Sequence, residues 1–154
     1  MRILFIAAAT SVLAACATYE IEESSLAPGT YAETLYSEYR RVAEAERAND
    51  DWGAFSLFAE RANMTATGKP PMPLPPADVN LPAGKKAEAG LLQQRLNAAI
   101  ADGAKADAGI ALARAQVSYE QWLELLEDGN KPAEAEKARN LFSFYIGGVD
   151  AHMQ

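Results

Sequence analysis

The chain has 154 residues, 49% of them apolar, with 14 basic against 21 acidic residues and a formal charge of −7. That length gives one domain of ordinary size once an N-terminal segment is set aside, and the apolar fraction supplies a core for it. Nucleic acid is excluded as a partner, because phosphate binding needs clustered Lys and Arg.

Residues 1–15 are expected to be an export signal. Arg2 supplies a short positive region, and Ile3 to Ala15 form an uncharged run of 13 residues, long enough for a signal core and too short to span a bilayer comfortably. The run ends in Leu13-Ala14-Ala15-Cys16, which resembles the lipobox of bacterial lipoproteins. Small side chains at Ala14 and Ala15 let the backbone enter a peptidase cleft, and the Cys16 sulfur is the nucleophile that accepts a diacylglyceryl group as a thioether. The resemblance implies cleavage before Cys16, acylation of the freed amine and attachment to a membrane through acyl chains on Cys16, the lipidation site. Ala17 rather than Asp after the cysteine implies sorting to the periplasmic face of the outer membrane. Two other readings of Cys16 exist. Ala15-Cys16-Ala17 satisfies a small-x-small rule, so a cut after Ala17 would release a soluble exported protein; and a lone cysteine can be simply buried. Lipidation accounts best for a lone cysteine behind an export signal whose apolar run continues straight into the lipobox.

Residues 16–30 are expected to be the lipidated N-terminus and a flexible tether, since Glu20, Glu22, Glu23, Ser24, Ser25, Pro28 and Gly29 leave few core-forming residues. Residues 31–146 are expected to form a helical domain. Abundant alanine and sparse β-branched residues favour an all-α fold of about five helices, arranged as antiparallel hairpins around a proline-rich connector. Leu35, Tyr39 and Val42 share a face of the first helix; Asn49 or Asp50 caps a second, on which Trp52, Phe55, Ala59 and Ala62 align. Lys69 to Gly84, with six prolines, cannot be helix interior or central strand and reads as a stiff spacer; a docking site for a polyproline-binding partner is the alternative. A third helix covers about Lys85 to Ala101 with Leu92, Leu96 and Ala99 on one stripe. The fourth starts near Asp107 and presents Ala115, Val117 or Ser118, Trp122, Leu125 and Leu126. A fifth starts at Pro132 and carries Ala138, Leu141, Phe142 and Tyr145. Residues 147–154 are expected to be a C-terminal tail.

The stretch Ala113-Arg114-Ala115-Gln116-Val117-Ser118-Tyr119-Glu120-Gln121-Trp122, continuing through Glu124, Glu127, Pro132, Arg139 and Phe142, resembles the N-terminal periplasmic region of OmpA-family outer-membrane lipoproteins. Weaker similarity reaches back through Ala45-Glu46-Arg47-Ala48 and Asp51-Trp52. Members of that family continue into a peptidoglycan-binding domain for which this sequence has no counterpart, so peptidoglycan binding is not expected. The resemblance also implies a former disulfide: relatives carry cysteines at the positions matching Gln121 and Ala138, and both are absent here together.

No chemistry-bearing motif stands out, so no catalytic, cofactor or metal site is expected and the chain does not read as an enzyme. His152, the one histidine, is close to the C-terminus, where an exposed and mobile side chain is the simple reading. Glu120, Glu124, Glu127 and Asp128 recur at helical spacing; a solvated acidic face is preferred over a cation site, because no calcium-type loop accompanies them. Trp52 and Trp122 fall on apolar stripes and are expected in the core. The function implied is a structural or protein-interaction role in the envelope, with an unknown protein partner; a periplasmic module binding a small hydrophobic or glycan ligand is the alternative.

Overall fold

A computed structural model describes residues 20–153, and these are all-helical. The signal segment 1–15 and Cys16 lie outside the described residues. The helices are α1 (Tyr31–Ala48), α2 (Trp52–Ala66), α3 (Ala83–Ala101), the single turn α4 (Ala104–Asp107), α5 (Gly109–Asp128) and α6 (Pro132–His152), with a short 3₁₀ turn at Pro76–Asp78.

Local chemistry sets the helix ends. The Thr30 hydroxyl accepts from the Glu33 amide at the start of α1, and the Asp51 carboxylate accepts from the Ala54 amide at the start of α2. Pro132 sits in the first turn of α6, where its missing N–H costs nothing. Gly129 closes α5 at φ 68°, a left-handed conformation that suits glycine.

Short turns fold α1 against α2 and α5 against α6 as two antiparallel hairpins, which meet through α1 and α5. As a result α5 is the central helix, with Leu112, Ala113, Ala115, Gln116, Tyr119, Glu120 and Leu123 wholly buried. A Cβ on Gly109 would come 3.1 Å from the Tyr31 backbone nitrogen, so glycine permits the N-terminal ends of α1 and α5 to approach closely. The third helix lies against α5 and is tied to α6 by Glu88 with Arg139 (2.7 Å) and by Arg95 with Asp150.

Several expectations are corrected. The helical domain does not stop at 146, because Ile146 and Val149 continue the buried stripe of α6, and the supposed tail is helix through His152. Asp107 does not cap the long helix; it ends the turn α4, and α5 begins two residues later. Trp52 is 59% exposed: it is the first residue of α2, at the end of the hairpin, with its ring edge-to-face on Phe55. Trp122, by contrast, is in the core.

The stretch read as a flexible tether is held down from residue 20 onwards. The Asn63 side chain donates to the Glu20 carbonyl (3.0 Å) and accepts from the Glu22 amide (2.8 Å), and the Tyr36 hydroxyl donates to the Glu22 carbonyl (2.7 Å). Ile21 and Leu26 are partly buried against the core. Two apolar residues at that spacing, with a fixed set of backbone hydrogen bonds, are enough to order an otherwise polar segment.

The candidate site: a buried polar cluster, an acidic cluster and a cationic cleft

Three helices bring polar side chains to positions on their inner faces. Arg61 is one turn after the buried Phe58 on α2; Gln116 and Glu120, four residues apart, share the inner face of α5; Tyr31 and Tyr39 reach in from α1. The Glu120 carboxylate, 0% exposed, forms an ion pair with the Arg61 guanidinium (Nε to Oε2, 2.6 Å) and accepts from Arg61 Nη2 (2.6 Å) and the Tyr39 hydroxyl (2.9 Å). Tyr39 in turn accepts from Arg61 Nε (3.1 Å) and Gln116 Nε2 (3.0 Å), and the Tyr31 hydroxyl donates to Gln116 Oε1 (2.6 Å).

The proline-rich connector completes this cluster and is more than a spacer. Its carbonyls turn inward: Pro71 accepts from Gln116, Met72 from Arg61 Nη2 and Leu74 from the Tyr119 hydroxyl. Its Leu74 amide donates to Glu120 Oε1 (3.2 Å). Proline leaves carbonyls without intrasegment partners, so an extended strap offers acceptors to buried donors that a helix would consume itself. Pro71 and Pro73 are buried beneath the surface of the strap. The polyproline-docking alternative would therefore need the strap to be peeled off the core.

Electrostatics follow from burial. Desolvation raises the Glu120 carboxyl above the ordinary carboxylate range, opposed by Arg61, by the Tyr39 hydroxyl and by the Leu74 amide. Burial alone would lower the Arg61 guanidinium, but Glu120 and Tyr39 beside it carry it above its ordinary value, so it stays cationic. Burial also raises the Tyr39 phenol. The charges are paired and the donors satisfied, and the arrangement locks α1, α2, α5 and the strap together. The reading of Glu120 as part of a solvated acidic face is thus corrected: its charge is met by a cation 59 residues away in sequence.

The rest of the acidic set does lie near the surface. Asp51, Glu124 and Asp128 place carboxylate oxygens within 4.8 Å of one another, at the junction of the α1–α2 turn and the end of α5. Lys131 approaches Glu46 and Asp51, each at 3.9 Å. Burial first, then the repulsion of Asp128, Glu46 and Asp51, pushes the Glu124 carboxyl up to about 7. Glu127 stands apart and accepts from the Asn80 amide (3.0 Å). Three carboxylates at this spacing are the donor type a hard cation takes, but Lys131 already supplies local positive charge.

A cleft of about 620 Å³ opens at the other end of the molecule, between the start of α5 and the end of α6. Lys105, Asp107, Arg114 and His152 line it with Ile110, Phe144 and Tyr145, so two cations, one carboxylate and apolar rings meet there. Arg114 pairs with Glu38 (3.2 Å) and lies over the Tyr145 ring; Phe144 is 74% exposed. His152 is exposed in the last turn of α6, at the edge of this cleft, rather than in a free tail. Gln121 and Ala138, the positions of the former disulfide implied by the resemblance, line one groove between α5 and α6 together with Leu125 and Leu141.

Comparison with protein-family models, with curated proteins and with solved structures finds no match for the chain.

Proposed function

We propose that this chain is a lipid-anchored helical lipoprotein of the bacterial outer membrane, facing the periplasm, with a structural or protein-interaction role in the envelope. The observation that carries the reading is Leu13-Ala14-Ala15-Cys16, placed directly after an uncharged run of signal length. Among the described residues no helix is long and apolar enough to cross a membrane. Attachment then falls to the acyl chains, and two or three of them hold where one would be marginal. The resemblance of α5 and α6 to the N-terminal region of OmpA-family lipoproteins supports the outer membrane as destination. The domain supplies a rigid surface: four segments are tied through the Arg61–Glu120 cluster, and no catalysis is assigned to it.

The test is metabolic labelling with a clickable palmitate analogue. The wild-type chain takes up label and Cys16→Ser does not; undiminished label on the variant overturns the lipoprotein reading.

A second reading is favoured by one feature, the cleft in which Arg114 and Lys105 stand beside the exposed Phe144, with Asp107 also in its lining. It would suit a periplasmic ligand with an anionic group on an apolar body. A ligand-dependent rise in thermal midpoint that is lost in Arg114→Ala supports it, and the absence of any rise across such ligands removes it.

A further inference from the structure

Docking of residues 20–30 fixes where the chain leaves the domain towards Cys16, and with it which face meets the lipid. Glu20 and Ile21 lie in a groove with Arg40, Glu44 and Arg47 of α1. The Arg47 guanidinium sits 5.7 Å above the Phe55 ring, and Phe55 meets Trp52 edge-to-face, also at 5.7 Å between centroids. The groove at the exit point of the chain and the exposed indole thus share Arg47, which lines the first and reaches the second through Phe55. From Cys16 to Glu20 the backbone can span at most about 14 Å, at roughly 3.3 to 3.6 Å per residue. A domain joined to acyl chains by so short a link cannot stand clear of the head groups.

We propose that the outer face of the α1–α2 hairpin, with Trp52 as its apolar contact and Arg47 over the neighbouring Phe55 ring as its cation, lies against the surface of the bilayer that holds the anchor. The inference rests on acylation of Cys16. The chemistry of the face fits a lipid–water interface. Indole is amphipathic and partitions to the head-group level, and arginine can lay its stem on apolar surface while its guanidinium meets phosphate. Trp52 is the one tryptophan not in the core, and it is 59% exposed as the first residue of α2.

The experiment supplies the anchor chemically, so its outcome is independent of whether cells acylate the protein. The chain from Cys16 onward contains every helix described above and has one thiol, which couples to a maleimide phosphatidylethanolamine in phosphatidylcholine vesicles. Some of the vesicles carry acyl chains brominated near the head group. Quenching and a blue shift of the Trp52 share of the emission are expected. Trp52→Phe should abolish the bromine-dependent loss, leaving only the core Trp122. Asn63→Ala, which removes the bonds to the Glu20 carbonyl and the Glu22 amide and leaves Tyr36 holding the Glu22 carbonyl, frees residues 20–21 and should reduce quenching while the helical circular dichroism is kept. No quenching in the wild type, or equal quenching in Trp52→Phe, overturns the proposed face. Undiminished quenching in Asn63→Ala overturns the part assigned to the docked segment. Failure of palmitate labelling at Cys16 in cells would instead strike the lipoprotein reading itself.

Discussion

The Arg61 guanidinium and the Glu120 carboxylate meet at 2.6 Å in the interior of the molecule, one from α2 and one from α5, with Glu120 wholly buried. Such a pair is costly to break from one side, because the remaining charge has neither water nor a partner. Arg61→Leu is expected to destabilise the domain by about 3 to 5 kcal/mol, a large part of an ordinary domain's stability. Replacing both, Arg61→Leu with Glu120→Leu, should recover much of that loss, since no lone charge is left. Urea unfolding of the two variants checks this. A loss below about 1 kcal/mol for the single change would mean the pair behaves like an exposed one.

The proline strap should be ordered although it has almost no regular secondary structure. Its Leu74 amide is committed to Glu120 and its carbonyls to Gln116, Arg61 and Tyr119. Hydrogen exchange is expected to be slowed at least about a hundredfold at Leu74 relative to the amides of exposed turns. Exchange at Leu74 as fast as in an unstructured peptide of the same sequence would show a strap that opens freely, and would restore the docking-site alternative.

Stability should fall between about pH 4.5 and pH 7 through Glu124. Its carboxyl stands at about 7 in the folded protein against an ordinary 4.5, so the folded state holds a proton that the unfolded state has released across that window. The favourable contribution is complete below pH 4.5 and is lost as the pH rises through 7. Since the residue is partly exposed, solvent screening reduces the effect to about 1 to 2 kcal/mol. Glu124→Gln should flatten this segment of the pH profile and raise stability at pH 8. A variant as pH-dependent as the wild type would place the titration elsewhere.

Gln121 and Ala138 border one groove of the α5–α6 hairpin. Gln121→Cys together with Ala138→Cys, in the exported domain beginning at Ala17, should form a disulfide spontaneously. A loop of this length predicts a gain of about 3 kcal/mol if the bond is unstrained. The thermal midpoint with and without reductant reads it. Two free thiols after export would show that the two positions do not face each other across the hairpin.

The helix faces were legible in the sequence because burial repeats at helical spacing. Leu35, Tyr39 and Val42, then Phe55, Ala59 and Ala62, are buried where periodicity puts them. The polar centre was not. Glu120 shares its helix with Glu124, Glu127 and Asp128, and local spacing alone makes the four look like one solvated face. Its partners Arg61 and Tyr39 lie on other helices, and only tertiary packing joins them. A signal was nevertheless present: Arg61, Gln116 and Glu120 each occupy a position on an apolar stripe, and three polar residues so placed call for mutual pairing. The inward carbonyls of the strap had no such signal, since proline content specifies an extended backbone but not which way it faces. Trp52 misled for a related reason. The stripe that includes it extends one residue past the end of the core.

The proposed acylation of Cys16 is read most directly from the intact mass of the protein extracted from cell membranes, with sequencing of its N-terminal peptide. Residues 1–15 are expected to be removed, and the peptide beginning at Cys16 to carry a diacylglyceryl thioether. A mature chain that begins at Thr18 without lipid, or one that retains residues 1–15, would contradict it.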